Sequence, residues 1–162
     1  MIYKCITFFA AAVLLSSVAR AQTSISVEGE VARPLKLTPT DIGRMKNVEV
    51  TAADRDGKEH RYSGVPVYEI LQQAGVTLGP QLRGENMSKY LLVKSGDGYE
   101  VLFSLPEVDS TFASRVIILA DKMDGQPLPA GKGPFRIVVP GEKKPARWIW
   151  EVTTMTVRFA KE

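Results

Sequence analysis

Thiols and imidazoles are almost missing from this chain of 162 residues, which holds one cysteine, Cys5, and one histidine, His60. A tetrahedral metal site draws on several such ligands, and no acidic loop carries the spacing that a hard cation needs, so no metal ligand set is expected. Nucleophilic catalysis is equally poorly served. Ser63, Ser95 and Ser104 are present, but none stands in a Gly-x-Ser-x-Gly elbow, and a lone histidine cannot be assigned to any of them. Repeats, low-complexity runs and Pro/Gly/Ser linkers are also absent, which leaves one domain large enough to bury a single core. No sign of charge dominates: 21 Lys and Arg face 18 Asp and Glu.

The first residues read as an export leader. Lys4 supplies a positive start, residues 6–18 form an apolar run softened by Ser16 and Ser17, and Ala19-Arg20-Ala21 is a small-x-small cleavage motif. That run is shorter than the roughly 20 residues of a spanning helix, so cleavage is expected rather than a stable membrane anchor. The expected division is a signal peptide over residues 1–21 and a single domain over residues 22–162, periplasmic or secreted. Cleavage would remove Lys4 and Arg20, lowering the basic count from 21 to 19 and the net charge from +3 to +1. A near-neutral total gives no argument for nucleic acid. Cys5 would leave too, and with it any disulfide or reactive thiolate.

Local patterns predict a chain rich in hairpins. Residues 24–31 alternate Ile25, Val27 and Val31 with polar neighbours, and Gly29 marks a bulge or a close backbone approach. Thr38-Pro39-Thr40-Asp41 predicts a short helix to about Met45, with a hydroxyl cap, proline at the first position and an acid at the third. Residues 48–52 alternate again, and Asp56-Gly57 turns the chain back through His60. Ser63-Gly64-Val65-Pro66 reads as the start of a helix carrying Val67, Ile70, Leu71 and Ala74, with Gly75 at its end. Strands at residues 90–93 and 99–103 flank Ser95-Gly96-Asp97-Gly98. A short helix is predicted at Leu105-Pro106-Glu107-Val108, a strand covered on both faces at residues 116–120, and a β-prone end over residues 148–157.

Between these last two lies the most punctuated stretch. Met123-Asp124-Gly125-Gln126-Pro127-Leu128-Pro129 and Gly131-Lys132-Gly133-Pro134 lead into an apolar strand at residues 135–139 with Arg136 at its entrance and Pro140-Gly141 at its exit. Lys132, Arg136, Lys143, Lys144 and Arg147 gather here against Glu142 alone, with Trp148 beside them. Such a cluster suits an anion with a planar ring; it equally suits solvated charges that keep a strand edge from pairing. His60 is a strand residue on a hairpin flank and a further candidate to face a ligand.

These residues resemble the molybdopterin-binding domain of the sulfite oxidase family. The 123–129 turn, the arginine-bearing Val-rich strand ending in Pro-Gly, and Arg147-Trp148 are similar to that family's signature, as are Tyr62 to Pro66 with the following helix and the Tyr99 to Pro106 segment. The resemblance spans residues 25–157 and implies an α+β, mostly β fold: mixed sheets with short helices, sulfite-oxidase-like. It implies cofactor contacts for Arg136 and Arg147, Arg147 as the cation near the cofactor phosphate, and Lys132, Trp148, Tyr99 and His60 complete the set of candidate cofactor-binding residues.

Two departures bear on activity. The family holds molybdenum with a cysteine thiolate on the segment that here reads Thr51-Ala52-Ala53-Asp54-Arg55-Asp56-Gly57, and the histidine ahead of its strand arginine is replaced by Gly131-Lys132-Gly133. Exported bacterial members with the cofactor inserted leave folded through a twin-arginine leader, whereas Met1-Ile2-Tyr3-Lys4 has no arginine pair. The expectation is an exported domain without redox catalysis and with no bound molybdopterin, acting on a protein partner or a small anion. The alternative is a molybdopterin-dependent oxidoreductase with a non-cysteine ligand such as Asp54.

Overall fold

Ile25 and Val27 point the same way from the first strand and are both fully buried, and this two-residue period recurs through most of the sheets. The computed structural model describes residues 24–160, so the leader reading and Cys5 lie outside the described residues. Ten strands and three short helices follow in order: β1 (Ile25–Gly29), β2 (Leu35–Leu37), α1 (Pro39–Gly43), β3 (Val48–Ala53), β4 (Glu59–Pro66), α2 (Val67–Gln73), β5 (Lys89–Ser95), β6 (Glu100–Ser104), α3 (Leu105–Val108), β7 (Ile118–Met123), β8 (Gln126–Pro127), β9 (Arg136–Val138) and β10 (Val152–Phe159).

One sheet has the order β2-β1-β10-β5-β6, with β1 and β10 parallel and the other neighbours antiparallel. The second runs β3-β4-β7-β8, and β9 adds to β7. Both sheets contribute to one apolar core, where Val93, Met155 and Val157 meet Val65, Leu119 and Ile137 with no exposed surface. The mostly β, mixed-sheet class is therefore as the sequence implied. Among the described residues no helix is long and apolar enough to cross a membrane.

Local chemistry explains several boundaries. Asp41 N–H donates to Thr38 Oγ1 while Asp41 Oδ2 accepts from Thr38 N–H, a reciprocal cap that starts α1. Gly29 has φ 91°, and a Cβ there would lie 2.1 Å from Val157 O, so the parallel pairing with β10 requires glycine. Gly64 is similarly constrained, because a Cβ would lie 2.2 Å from Leu119 O beside the irregularity in the β4–β7 register.

Ser63 to Pro66 leads into a helix as expected, with Pro66 at the N-cap of α2, and the same residues also end β4 by laddering onto β7 down to Pro66 and Ile118. Three other points differ from expectation. β2, too short to show a period, went unpredicted. The 123–129 stretch contains a tight hairpin rather than only a loop: Asp124 and Gly125 take φ 51° and 78°, and Met123 pairs with Gln126. Finally, β10 begins at Val152 instead of Trp148, since Glu151 sits at φ 49°, a conformation that an extended strand cannot continue through.

Candidate functional site

Arg136 is the centre of the most enclosed polar cluster. β9 is held on one side by β7, where Arg136 faces Ala120, and on the other by Ile137 N–H to Ile149 O at 2.9 Å and Val152 N–H to Phe135 O at 3.2 Å. That double fastening leaves the Arg136 side chain with 0% exposure. A buried guanidinium cannot shed its proton, so it must be matched by charge and hydrogen bonds. Asp54 matches it. Nη1 donates to Asp54 Oδ2 at 2.6 Å and Nη2 to Oδ1 at 3.0 Å, a two-pronged pair, while Tyr62 donates to Asp54 Oδ2 at 2.7 Å and accepts from Nη1 at 3.2 Å.

Aromatic faces complete the cage. Arg136 Cζ lies 3.4 Å from the Trp150 ring centre, 5.0 Å from that of Trp148 and 5.5 Å from that of Tyr62. Tyr62 and Trp148 meet edge to face at 5.8 Å, and Lys132 Nζ lies 5.0 Å from the Trp150 ring centre. Burial opposes ionisation of Asp54, yet hydrogen bonds from Arg136, Tyr62 and the Arg55 N–H outweigh it and hold the carboxyl well below its ordinary range. Burial, with the hydrogen bond to Asp54, pushes the Tyr62 phenol well above its ordinary range, so it remains a neutral donor.

Arg147 is neutralised in a separate cluster. The 3₁₀ turn Pro145–Arg147 sets its side chain over the Phe103 ring at 4.5 Å. Nε donates to Glu142 Oε1 at 2.9 Å, Nη2 to Glu107 Oε1 at 2.7 Å, and Nη1 to the Leu102 carbonyl at 3.1 Å. Glu107 also accepts from Arg115 at 2.7 Å and caps α3 through Ser104 N–H. Partial burial works against the Glu107 charge, but the hydrogen bond from Arg147 prevails and lowers its pKa; the same bond raises that of Arg147. Tyr99 lies here too, half-exposed, donating to the Ala146 carbonyl at 3.2 Å.

The fold thus divides the six candidates. Arg136 and Trp148 share the enclosed cluster, Lys132 joins it through Trp150, and His60 borders it through Tyr62, whose ring centre is 6.3 Å from that of the imidazole. Arg147 and Tyr99 belong to the second cluster. Sequence reasoning missed the roles of Tyr62, Trp150, Glu107 and Glu142, and Asp54 as a counter-ion. Only the nearness of Trp148 and Trp150 to the basic residues offered a local signal.

The donor set does not fit the cofactor that the family resemblance implies. No Cys lies in residues 24–160, and both Asp54 oxygens are engaged by Arg136 and Tyr62. Each arginine that would face the cofactor already has a carboxylate partner. Two buried donors, Arg136 Nε and Trp148 Nε1, have no acceptor among the described residues, but their side chains are 0% and 1% exposed and offer nothing to a large group at the surface. Among the described residues no group of three or more His, Cys, Asp or Glu is placed to hold a metal ion.

A search of the curated proteins gave no match. Among solved structures the chain resembles the sulfane dehydrogenase SoxCD from Paracoccus pantotrophus, with a TM-score of 0.66 and 20% identity. The likeness covers 86% of this chain and 39% of the SoxCD chain, so it is a likeness of fold over part of a longer protein. The family model described as the oxidoreductase molybdopterin binding domain matches residues 14–161. With that match over nearly its whole length, and a fold to agree, the chain belongs to the oxidoreductase molybdopterin-binding domain family.

Proposed function

We propose that this domain is an exported member of its family that works without redox catalysis, as a module binding a protein partner or a small anion. The observation that carries the reading is the Asp54–Arg136 pair. Asp54 lies on the segment where the family resemblance calls for a metal-holding thiolate, and its carboxylate is spent on a fully buried arginine. A metal taking an Asp54 oxygen would strip Arg136 of its counter-ion inside an aromatic cage, and leaving a buried charge unpaired costs about 3–5 kcal/mol. The exposed cations of the basic stretch are then Lys132, Lys143 and Lys144, the side chains available to an anionic partner. Export, to the periplasm or beyond, rests on the leader-like composition of residues 4–21.

Metal analysis tests the reading. Protein purified from a host that makes the cofactor should carry molybdenum far below one equivalent and show no dye-linked reductase activity. Stoichiometric molybdenum, or an activity lost in Asp54→Ala, would overturn it.

A further inference from the structure

His60 fastens together the two hairpins that border the Arg136 cluster. One is the loop between β3 and β4, carrying Asp56; the other is the β7–β8 turn, carrying Asp124. His60 Nδ1 lies 2.6 Å from Asp124 Oδ2 and Nε2 lies 3.1 Å from Asp56 Oδ2. Both carboxylates are themselves anchored. Asp124 Oδ1 accepts from Arg61 N–H at 2.9 Å and Asp124 N–H donates to Arg61 O at 2.7 Å, while Asp56 Oδ1 accepts from Lys58 N–H at 2.9 Å. These bonds hold each carboxylate toward the ring.

A neutral imidazole has one N–H, so one of its nitrogens would turn a lone pair toward a carboxylate. Imidazolium donates on both sides, and only then are both contacts attractive. We propose that His60 is a proton-operated clasp: protonated, it ties the β3–β4 loop to the β7–β8 turn, and on losing its proton it releases one of them. The surroundings leave this balance to the two acids. Besides Asp56 and Asp124, the ring faces the edge of Tyr62 on its own strand and stands opposite Ala52 on β3, with the charges of Lys58 and Arg61 beside the two acids. The clasp also bears on Asp54. Asp54 N–H donates to Lys58 O and Asp54 O accepts from Gly57 N–H, both at 3.0 Å, so order in this loop reaches the carboxylate that holds Arg136.

The hydrogen bonds to Asp124 and then Asp56 raise the His60 pKa above its ordinary value; the His60 bond in turn holds Asp124 below its own, and the Lys58 N–H followed by the His60 bond does the same for Asp56. A raised folded-state value means that the clasp contributes fully below the ordinary imidazole value of about 6.5 and is lost as pH rises through the higher one. At the acid end it is lost as the two carboxylates protonate.

Because His60 is the chain's one histidine, its ring signal in the untagged protein is unambiguous by NMR. Its midpoint should lie above about 6.5. Hydrogen-exchange protection factors at the Gly57 and Asp124 amides should fall through that same midpoint, by at most about tenfold per unit of displacement. In His60→Gln the protection should be independent of pH across that range. Asp124→Asn and Asp56→Asn, each folded by circular dichroism, should lower the midpoint. A midpoint at or below about 6.5, a pH-dependent protection that persists in His60→Gln, or a midpoint unmoved in both Asp variants would overturn the clasp.

Discussion

Separating the Asp54–Arg136 pair should cost more from one side than from the other. Asp54→Asn keeps the shape of the carboxylate but leaves a guanidinium with 0% exposure facing a neutral amide, out of reach of water. Arg136→Met keeps an apolar stem in the cage and leaves a carboxylate that is 14% exposed and still hydrogen-bonded by Tyr62 and the Arg55 N–H. Breaking a buried pair costs about 3–5 kcal/mol, and Asp54→Asn should fall in that range. Arg136→Met should cost less, about 2–3 kcal/mol, because Asp54 can take up water or a proton. The double variant removes both charges and should be less destabilised than the sum of the singles by about 2 kcal/mol or more. Urea unfolding of the four proteins, with unchanged slopes, measures this cycle. The folded-state pKa of Asp54 is depressed, so its contribution is complete above the ordinary carboxyl value of about 3.9 and fades as pH falls toward the lower one. The Asp54→Asn deficit should therefore be constant at neutral pH and shrink in acid. Strict additivity in the cycle, or an Asp54→Asn cost below about 1 kcal/mol, would refute the argument.

Two further outcomes follow from the packing. Gly29→Ala, whose Cβ would meet Val157 O at 2.1 Å with φ at 91°, should cost about 3 kcal/mol or more or prevent folding, whereas Gly57→Ala, with φ 74° but nothing within 4 Å, should cost only about 1–2 kcal/mol in the same unfolding assay. Arg147→Ala should lower stability by about 1–2 kcal/mol, limited by its 31% side-chain exposure, and the loss should be smaller in high salt because Glu107 and Glu142 then repel each other less.

What the chain disclosed in advance was whatever is decided within a few residues. Thr38, Pro39 and Asp41 carry the start of α1 in their own side chains, and Gly29 signalled a close approach although its neighbour Val157 could not be named. The Ser63 to Pro66 segment showed half of its role: its residue types marked the start of α2, while its pairing with β7 depends on a distant part of the chain. The site was least legible of all. Locally, five basic residues faced only Glu142 and suited either an anion pocket or solvated edge charges, whereas the fold brings Asp54 to Arg136 from 82 residues away and Glu107 to Arg147 from 40 away. Such partners leave no mark in a window of sequence, so a local charge surplus said little about the net charge at the site.

β10 occupies the middle of its sheet, between β1 and β5, although it is the final strand of the described chain. Synthesis delivers this strand after the other nine described strands, so β1 and β5 have emerged before the segment that joins them exists. Until Val152 to Phe159 arrive, the sheet is two separate pieces, β2-β1 and β5-β6, with their inner edges bare. The two central pairings of this sheet, β1 with β10 and β10 with β5, therefore join segments far apart in the chain and form only once the last of them is in place.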